Sequence, residues 1–147
     1  MIRHLFLHSA QQFAWVKYIS INKDKEIISI LKELANDGRW RMREAVAFGF
    51  QIIGENDFNE LRTIASDWIA QSNNYEKRVI LVSLAHPKFL NSERAKFCFE
   101  ITSQILLQID TKEGFEVLRK AASYGVSERR IHNTTGAAVA EVISDKI

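Results

Sequence analysis

The sequence predicts an all-α protein, built as a short curved stack of about three antiparallel helix pairs. Three observations carry that expectation. One proline and six glycines in 147 residues are too few turn formers for a many-stranded β protein. Apolar residues recur at helical spacing through long stretches rich in Leu, Ile, Ala, Glu and Lys. Finally, Trp40-Arg41-Met42-Arg43 is followed 35 residues later by Tyr75-Glu76-Lys77-Arg78, aromatic over aromatic and arginine over arginine, as in a repeated unit.

At the start, Leu5, Phe6, Ala10, Phe13 and Ala14 are spaced as a loose helix that caps the first repeat. Its apolar character also makes a homo-oligomer a candidate assembly, because the terminal units of a stack need polar caps. Ile27, Ile28, Leu31, Leu34 and Ala35 then form an amphipathic stripe. Asn36-Asp37-Gly38 ends this helix with residues that tolerate the left-handed conformation. A second helix is expected from Arg39 to Ile53, with Met42, Ala45, Val46, Gly49, Ile52 and Ile53 inward, before Gly54-Glu55-Asn56 closes it.

Asp57 with Glu60 three residues later reads as a capping box for a helix carrying Phe58, Leu61, Ala65, Trp68 and Ile69. Asn73 and Glu76 repeat that signature ahead of the apolar run Val79 to Ala85, which must stop before Pro87. Asn91 or Ser92 opens a longer helix to about Ile109, so richly apolar through Phe97, Phe99, Ile101, Ile105 and Leu106 that it is expected to be central. Asp110 and Glu113 cap a shorter helix with Phe115, Leu118 and Ala122. A break at Gly125 to Ser127 separates it from a last helix with Ile131, Thr135, Ala138, Val139 and Val142. The whole chain, 1–147, is read as one repeat domain.

The formal charge of +2 implies no nucleic-acid partner by itself, so any electrostatic role depends on placement. The lone Cys98, set between Phe97 and Phe99, excludes an internal disulfide and reads as a buried thiol in a reducing compartment. The first ten residues make a poor signal peptide and no apolar run approaches the ~20 residues of a membrane span, so a cytoplasmic, non-membrane protein is expected.

Arg39, Arg41, Arg43, Lys77, Arg78, Arg119, Lys120, Arg129 and Arg130 gather at second-helix openings or the turn that follows. Stacked units would align them along one edge as a ladder for successive phosphates. The competing reading pairs each arginine with an acidic turn residue, such as Arg43 with Asp37, and Glu44, Glu76 and Glu116 dilute the field. Trp40, Tyr75 and Tyr124 are candidates to stack on bases, with repeat packing the leading role for Trp40 and Tyr75, whereas Trp68 lies on a core stripe. His4 and His8 share a helix face without further ligands, His86 and His132 are isolated, and no metal or cofactor is expected. No nucleophile elbow, catalytic triad order or phosphate-cradling glycine loop occurs.

Helix pairs recurring at 35 to 41 residues, with an arginine early in each second helix, resemble HEAT-like repeats. Two phrases, Trp68-Ile69-Ala70-Gln71-Ser72-Asn73-Asn74-Tyr75-Glu76-Lys77-Arg78 and Val117-Leu118-Arg119-Lys120-Ala121-Ala122-Ser123-Tyr124-Gly125, look like the HEAT-like alkylpurine DNA glycosylases of the DNA alkylation repair family. The resemblance spans roughly residues 24–130. It implies duplex DNA bound in a concave basic face and excision of cationic alkylated bases by an aspartate beside aromatic residues. Catalytic members carry a Trp-Asp-x-x-Asp phrase at a second-helix opening, and here Tyr75-Glu76-Lys77-Arg78 ends that phrase in arginine. Catalysis is therefore not carried over. The sequence points to a non-catalytic module whose concave face binds a protein or nucleic acid, through Arg39, Trp40, Arg41, Arg43, Tyr75, Lys77, Arg78, Arg119, Lys120 and Arg130. The alternative is an alkylation-repair glycosylase or a binder of alkylated DNA.

Overall fold

A computed structural model describes residues 25–90 and 92–132. Among them all regular structure is helical: α1 (Lys25–Ala35), α2 (Trp40–Asn56), α3 (Phe58–Ile69), α4 (Asn74–Leu84), a 3-10 turn (Pro87–Phe89), α5 (Ser92–Leu107) and α6 (Phe115–His132). The expected cap helix at Leu5 to Ala14 and the positions Thr135, Ala138, Val139 and Val142 lie outside the described residues.

Helix α1 buries Leu31, Leu34 and Ala35, the stripe its periodicity announces. Helix α2 continues three residues past the expected Ile53, because Gly54 is a point of close approach and not a stop. A Cβ built there would lie 2.5 Å from Leu61 Cδ2 and 2.7 Å from Phe89 Cζ. The missing side chain thus lets α3 and the 3-10 turn press against the end of α2, at the modest helix cost of a glycine.

The turn between α1 and α2 also differs from expectation, since Gly38 does not take a positive φ. Asp37 shapes this turn instead. Its Oδ1 accepts from the Arg39 amide at 2.8 Å, and its backbone carbonyl accepts from Arg43 Nη1 at 2.7 Å. Farther along, Asp57 Oδ1 caps α3 by accepting from the amides of Asn59 and Glu60. Asn73 and Glu76 form the reciprocal capping box on α4 that their spacing predicts.

Helix α4, and not α5, is the central element. It packs against α1, α2, α3, α5 and α6, whereas α5 packs on α3, α4 and the 3-10 turn and leaves Leu107 63% exposed. Being flanked on several sides explains why α4 buries even Asn74, Glu76 and Lys77 in its first turn, followed by Val79, Ile80, Leu81, Ser83 and Leu84. The Ser83 hydroxyl stands 2.7 Å from Val79 O and 3.2 Å from Ala47 O, a polar contact within the α2–α4 seam.

Asp110 orders the turn before α6 and does not cap the helix, which begins at Phe115 directly after Gly114. Helix α6 then runs without interruption through Gly125 to His132. The predicted break is absent, since a lone glycine costs a helix about 1 kcal/mol, which neighbouring turns offset. One apolar cluster runs from Leu31 in α1 to Ala122 in α6 and includes Phe50, Trp68, Leu81 and Phe89. Phe50 and Trp68 meet edge to face at 4.9 Å within it.

Candidate binding site at the turn edge

Three turns, α1–α2, α3–α4 and α5–α6, meet along one edge and are joined by asparagine side chains. Asn36 Nδ2 donates to Glu76 Oε1 at 2.8 Å, and Asn73 Nδ2 donates to Asn36 Oδ1 at 2.6 Å. One residue later, Asn74 Nδ2 lies 3.2 Å from Asp110 Oδ1, 3.3 Å from Lys112 O and 3.1 Å from Glu113 O. Amide side chains suit this duty because each offers donors and an acceptor without a charge to desolvate. Gly114, at φ 81, completes the junction; a Cβ there would meet Asn74 Cβ and the Tyr75 ring at 3.2 Å.

Between these turns lies a polar groove of about 540 Å³, bordered by Asn36, Gln71, Tyr75, Lys77, Asp110 and Glu113 among others. Its size is that of a small-ligand pocket. The Asp110 carboxyl is held below the usual carboxylate range, chiefly by the hydrogen bond from the Lys112 amide and further by Asn74 and the Lys112 side chain. Lys112 Nζ sits 3.3 Å from Asp110 Oδ2.

The predicted basic ladder is largely consumed within the protein. Arg39 grips the Asp37 carboxylate with Nε at 2.9 Å and Nη2 at 2.7 Å, which lowers the Asp37 pKa and raises that of Arg39. Arg43 is buried, bonded to the carbonyl of Asp37 and not to its carboxylate, with its guanidinium 5.3 Å from the Tyr75 ring centre. Arg78 donates through Nη2 to Glu44 Oε1, and Arg119 bonds Glu116 through Nε at 3.2 Å and Nη2 at 2.9 Å. Of these, only Arg39 pairs with an acidic turn residue, Asp37, as was expected for Arg43; the partners of Arg78 and Arg119 are the helix residues Glu44 and Glu116.

Arg41, Lys77 and Lys120 have no ion-pair partner among the described residues. Arg41 and Lys120 are exposed, and the Arg41 guanidinium lies 5.4 Å from the Trp40 ring centre. Lys77 is only 8% exposed and lines the groove. Arg129 and Arg130 belong to α6, and their side chains, like that of Tyr124, lie outside the described residues.

A second surface runs along the exposed arc of α2. Trp40, 62% exposed, Glu44 and Phe48, 40% exposed, follow one another at four-residue intervals on that helix, beside Arg41. Arg78 of α4 reaches this arc through its ion pair with Glu44.

Sequence reasoning did not mark Asn36, Asn74 and Asp110 as parts of one site. Asn36 and Asn73 do stand at nearly the repeat offset, a signal that was present but is shared by ordinary turn asparagines. Among the described residues no group of three His, Cys, Asp or Glu side chains is arranged to hold a metal, and no helix is long and apolar enough to cross a membrane. Comparison with known proteins gave no matching family model, no matching curated protein and no matching solved structure.

Proposed function

We propose that this all-α protein is a non-catalytic, HEAT-like binding module that uses its concave face to bind a protein or nucleic acid. Contacts of α2 with α4 and of α4 with α6, together with those of α1 with α2 and α3 with α4, support the repeat reading. The sequence leaves a protein and a nucleic acid open as partners. The observation that favours a protein is the exposed arc of α2, where Trp40 and Phe48 flank Glu44 beside Arg41. Aromatic and arginine side chains with apolar area of this kind make interface anchors.

A phosphate-reading ladder is less well supported, because Arg39, Arg43, Arg78 and Arg119 already have acceptors. The glycosylase alternative rests on resemblance. Its final carboxylate position is held by Arg78, which is bonded to Glu44.

A gel-shift titration with duplex DNA from low to physiological salt separates the readings. The protein reading expects binding that is weak and vanishes as salt rises. Retention at physiological salt, with a slope that falls by about one on replacing Arg41 or Lys120, would move the assignment to nucleic acid. Release of an alkylated base would overturn the non-catalytic reading. A co-purifying partner retained by the native protein and lost on Trp40→Ala or Phe48→Ala would support the α2 surface.

A further inference from the structure

Helix α2 is buried on one side and bare on the other. Met42, Val46, Phe50 and Ile53 face the core. At about 100° per residue, Trp40, Arg41, Glu44, Phe48, Ile52 and Glu55 fall on the outer side within an arc of about 120°. None of these six is buried. A single exposed apolar residue is ordinary, but here two aromatic side chains and the half-buried Ile52 share one strip of one helix.

The strip has an internal symmetry. Trp40 and Phe48 each stand four residues from Glu44, one turn to either side of it. In a two-fold interface, contact of one residue with a second implies contact of the second with the first. Two copies of α2 crossing antiparallel, with the axis at Glu44, therefore set Trp40 of each copy beside Phe48 of the other. A crossing angle near about −50° aligns the i, i+4 rows of both helices, and it is the commonest geometry of helix pairs.

The charges of the strip suit the same pairing. Two bare carboxylates at the axis would repel, but Arg78 is ion-paired to Glu44 and neutralises each of them. Arg78 bonds Oε1 alone, so Oε2 can accept from a cation outside the protomer. Arg41 is such a cation: it is exposed, has no ion-pair partner among the described residues, and stands three residues from Glu44. Each copy thus carries a cation and a carboxylate oxygen within one turn of the axis, and the two-fold brings each to its complement. A phosphate backbone on this strip would meet the carboxylates of Glu44 and Glu55 instead.

We propose that the outer strip of α2 is a homodimer surface, on which two copies of this chain cross antiparallel about Glu44, with Trp40 and Phe48 as mutual anchors and Arg41 reaching the partner copy's carboxylate. The inference rests on the reading of α2 as a protein-binding surface and names its partner as a second copy of the chain.

Sedimentation equilibrium of the native full chain from about 1 μM to about 1 mM tests it. The weight-average mass is expected to rise with concentration from monomer toward dimer and no further. Trp40→Ala, Phe48→Ala and Arg41→Glu are each expected to weaken association about tenfold or more, with the circular dichroism of the native protein retained. The antiparallel geometry has a signature of its own. In a mixture of Trp40→Cys and Phe48→Cys proteins, the mixed pair keeps one native contact of Trp40 with Phe48 and brings the two introduced thiols together. A short bismaleimide is therefore expected to couple the two variants to each other and neither to itself, while Cys98 is fully buried and stays out of the reaction. A strict monomer at the highest concentration, association that Trp40→Ala leaves unchanged, or cross-links formed as readily within one variant as between the two would overturn the proposal. A strict monomer that holds a different protein through Trp40 would overturn the self-pairing and leave the proposed function standing. Retention of duplex DNA at physiological salt would remove the protein reading beneath both.

Discussion

Arg78 of α4 reaches back 34 residues to Glu44 of α2, donating through Nη2 to Oε1, while its Nη1 is sealed without an acceptor. The guanidinium is therefore half satisfied, and the carboxylate that holds it is itself partly exposed. Removing the carboxylate strands the buried cation, whereas removing the cation leaves Glu44 free to turn toward water. Glu44→Ala should lower unfolding free energy by about 1–2 kcal/mol, more than Arg78→Met does. Urea midpoints of the two variants and their double mutant check this order. Equal losses would mean that the pair, and not the stranded charge, sets the cost.

Acidification should destabilise the protein through its turn carboxylates. Asp37 is held below its ordinary 3.8 first by the Arg39 side chain, Asp110 by the Lys112 amide, and Glu116 below its ordinary 4.5 by Arg119. A group depressed in the folded state adds stability that is complete above its unfolded value and is lost as pH falls through the folded value. Stability should thus be flat above about pH 5 and decline below it. Asp37→Asn should make the decline shallower in an acid titration followed by circular dichroism.

Gly54 and Gly114 should resist replacement for different reasons. Gly114→Ala forces a side chain into φ 81 and against Tyr75, and should cost about 1–2 kcal/mol. Gly54→Ala meets Leu61 and Phe89 and should cost about 1–3 kcal/mol through overpacking. Thermal melts of both variants measure the losses, and a Gly114→Asn variant should recover part of the first because asparagine tolerates the left-handed region.

The two tryptophans in α2 and α3 should report opposite environments. Trp40→Phe should reduce iodide-quenchable fluorescence with a stability change within about 0.5 kcal/mol, since Trp40 is 62% exposed. Trp68 is 4% exposed against Phe50, and Trp68→Ala should cost about 3–5 kcal/mol.

Helix existence and facing were legible because burial writes a period into the chain. Leu31, Leu34 and Ala35, Met42, Val46 and Ile53, and Leu61, Ala65 and Trp68 are buried as their spacing announces. Caps were legible where one side chain serves its own helix, as Asn73 and Glu76 do. Glycine roles were not. Gly54, Gly114 and Gly125 look alike in sequence, yet one is a packing contact, one a left-handed turn residue and one a position inside a continuous helix. The groove was illegible for a related reason: its members come from three turns, and Lys77 looks in sequence like any surface lysine although it is buried. Arg39 misled as well, since a residue two positions from Asp37 shows no sign in sequence of closing back on it.

The position of α4 has a consequence for how the chain can be divided. A helix touched by five others cannot be given to either half of the molecule without baring the face the other half covered. Cleavage between Leu90 and Ser92 should yield two pieces that are each poorly ordered alone and regain helical signal when mixed, the α5–α6 piece returning to the flank of α4. Complementation of this kind would make the protein cooperative as a whole despite the modular look of its sequence.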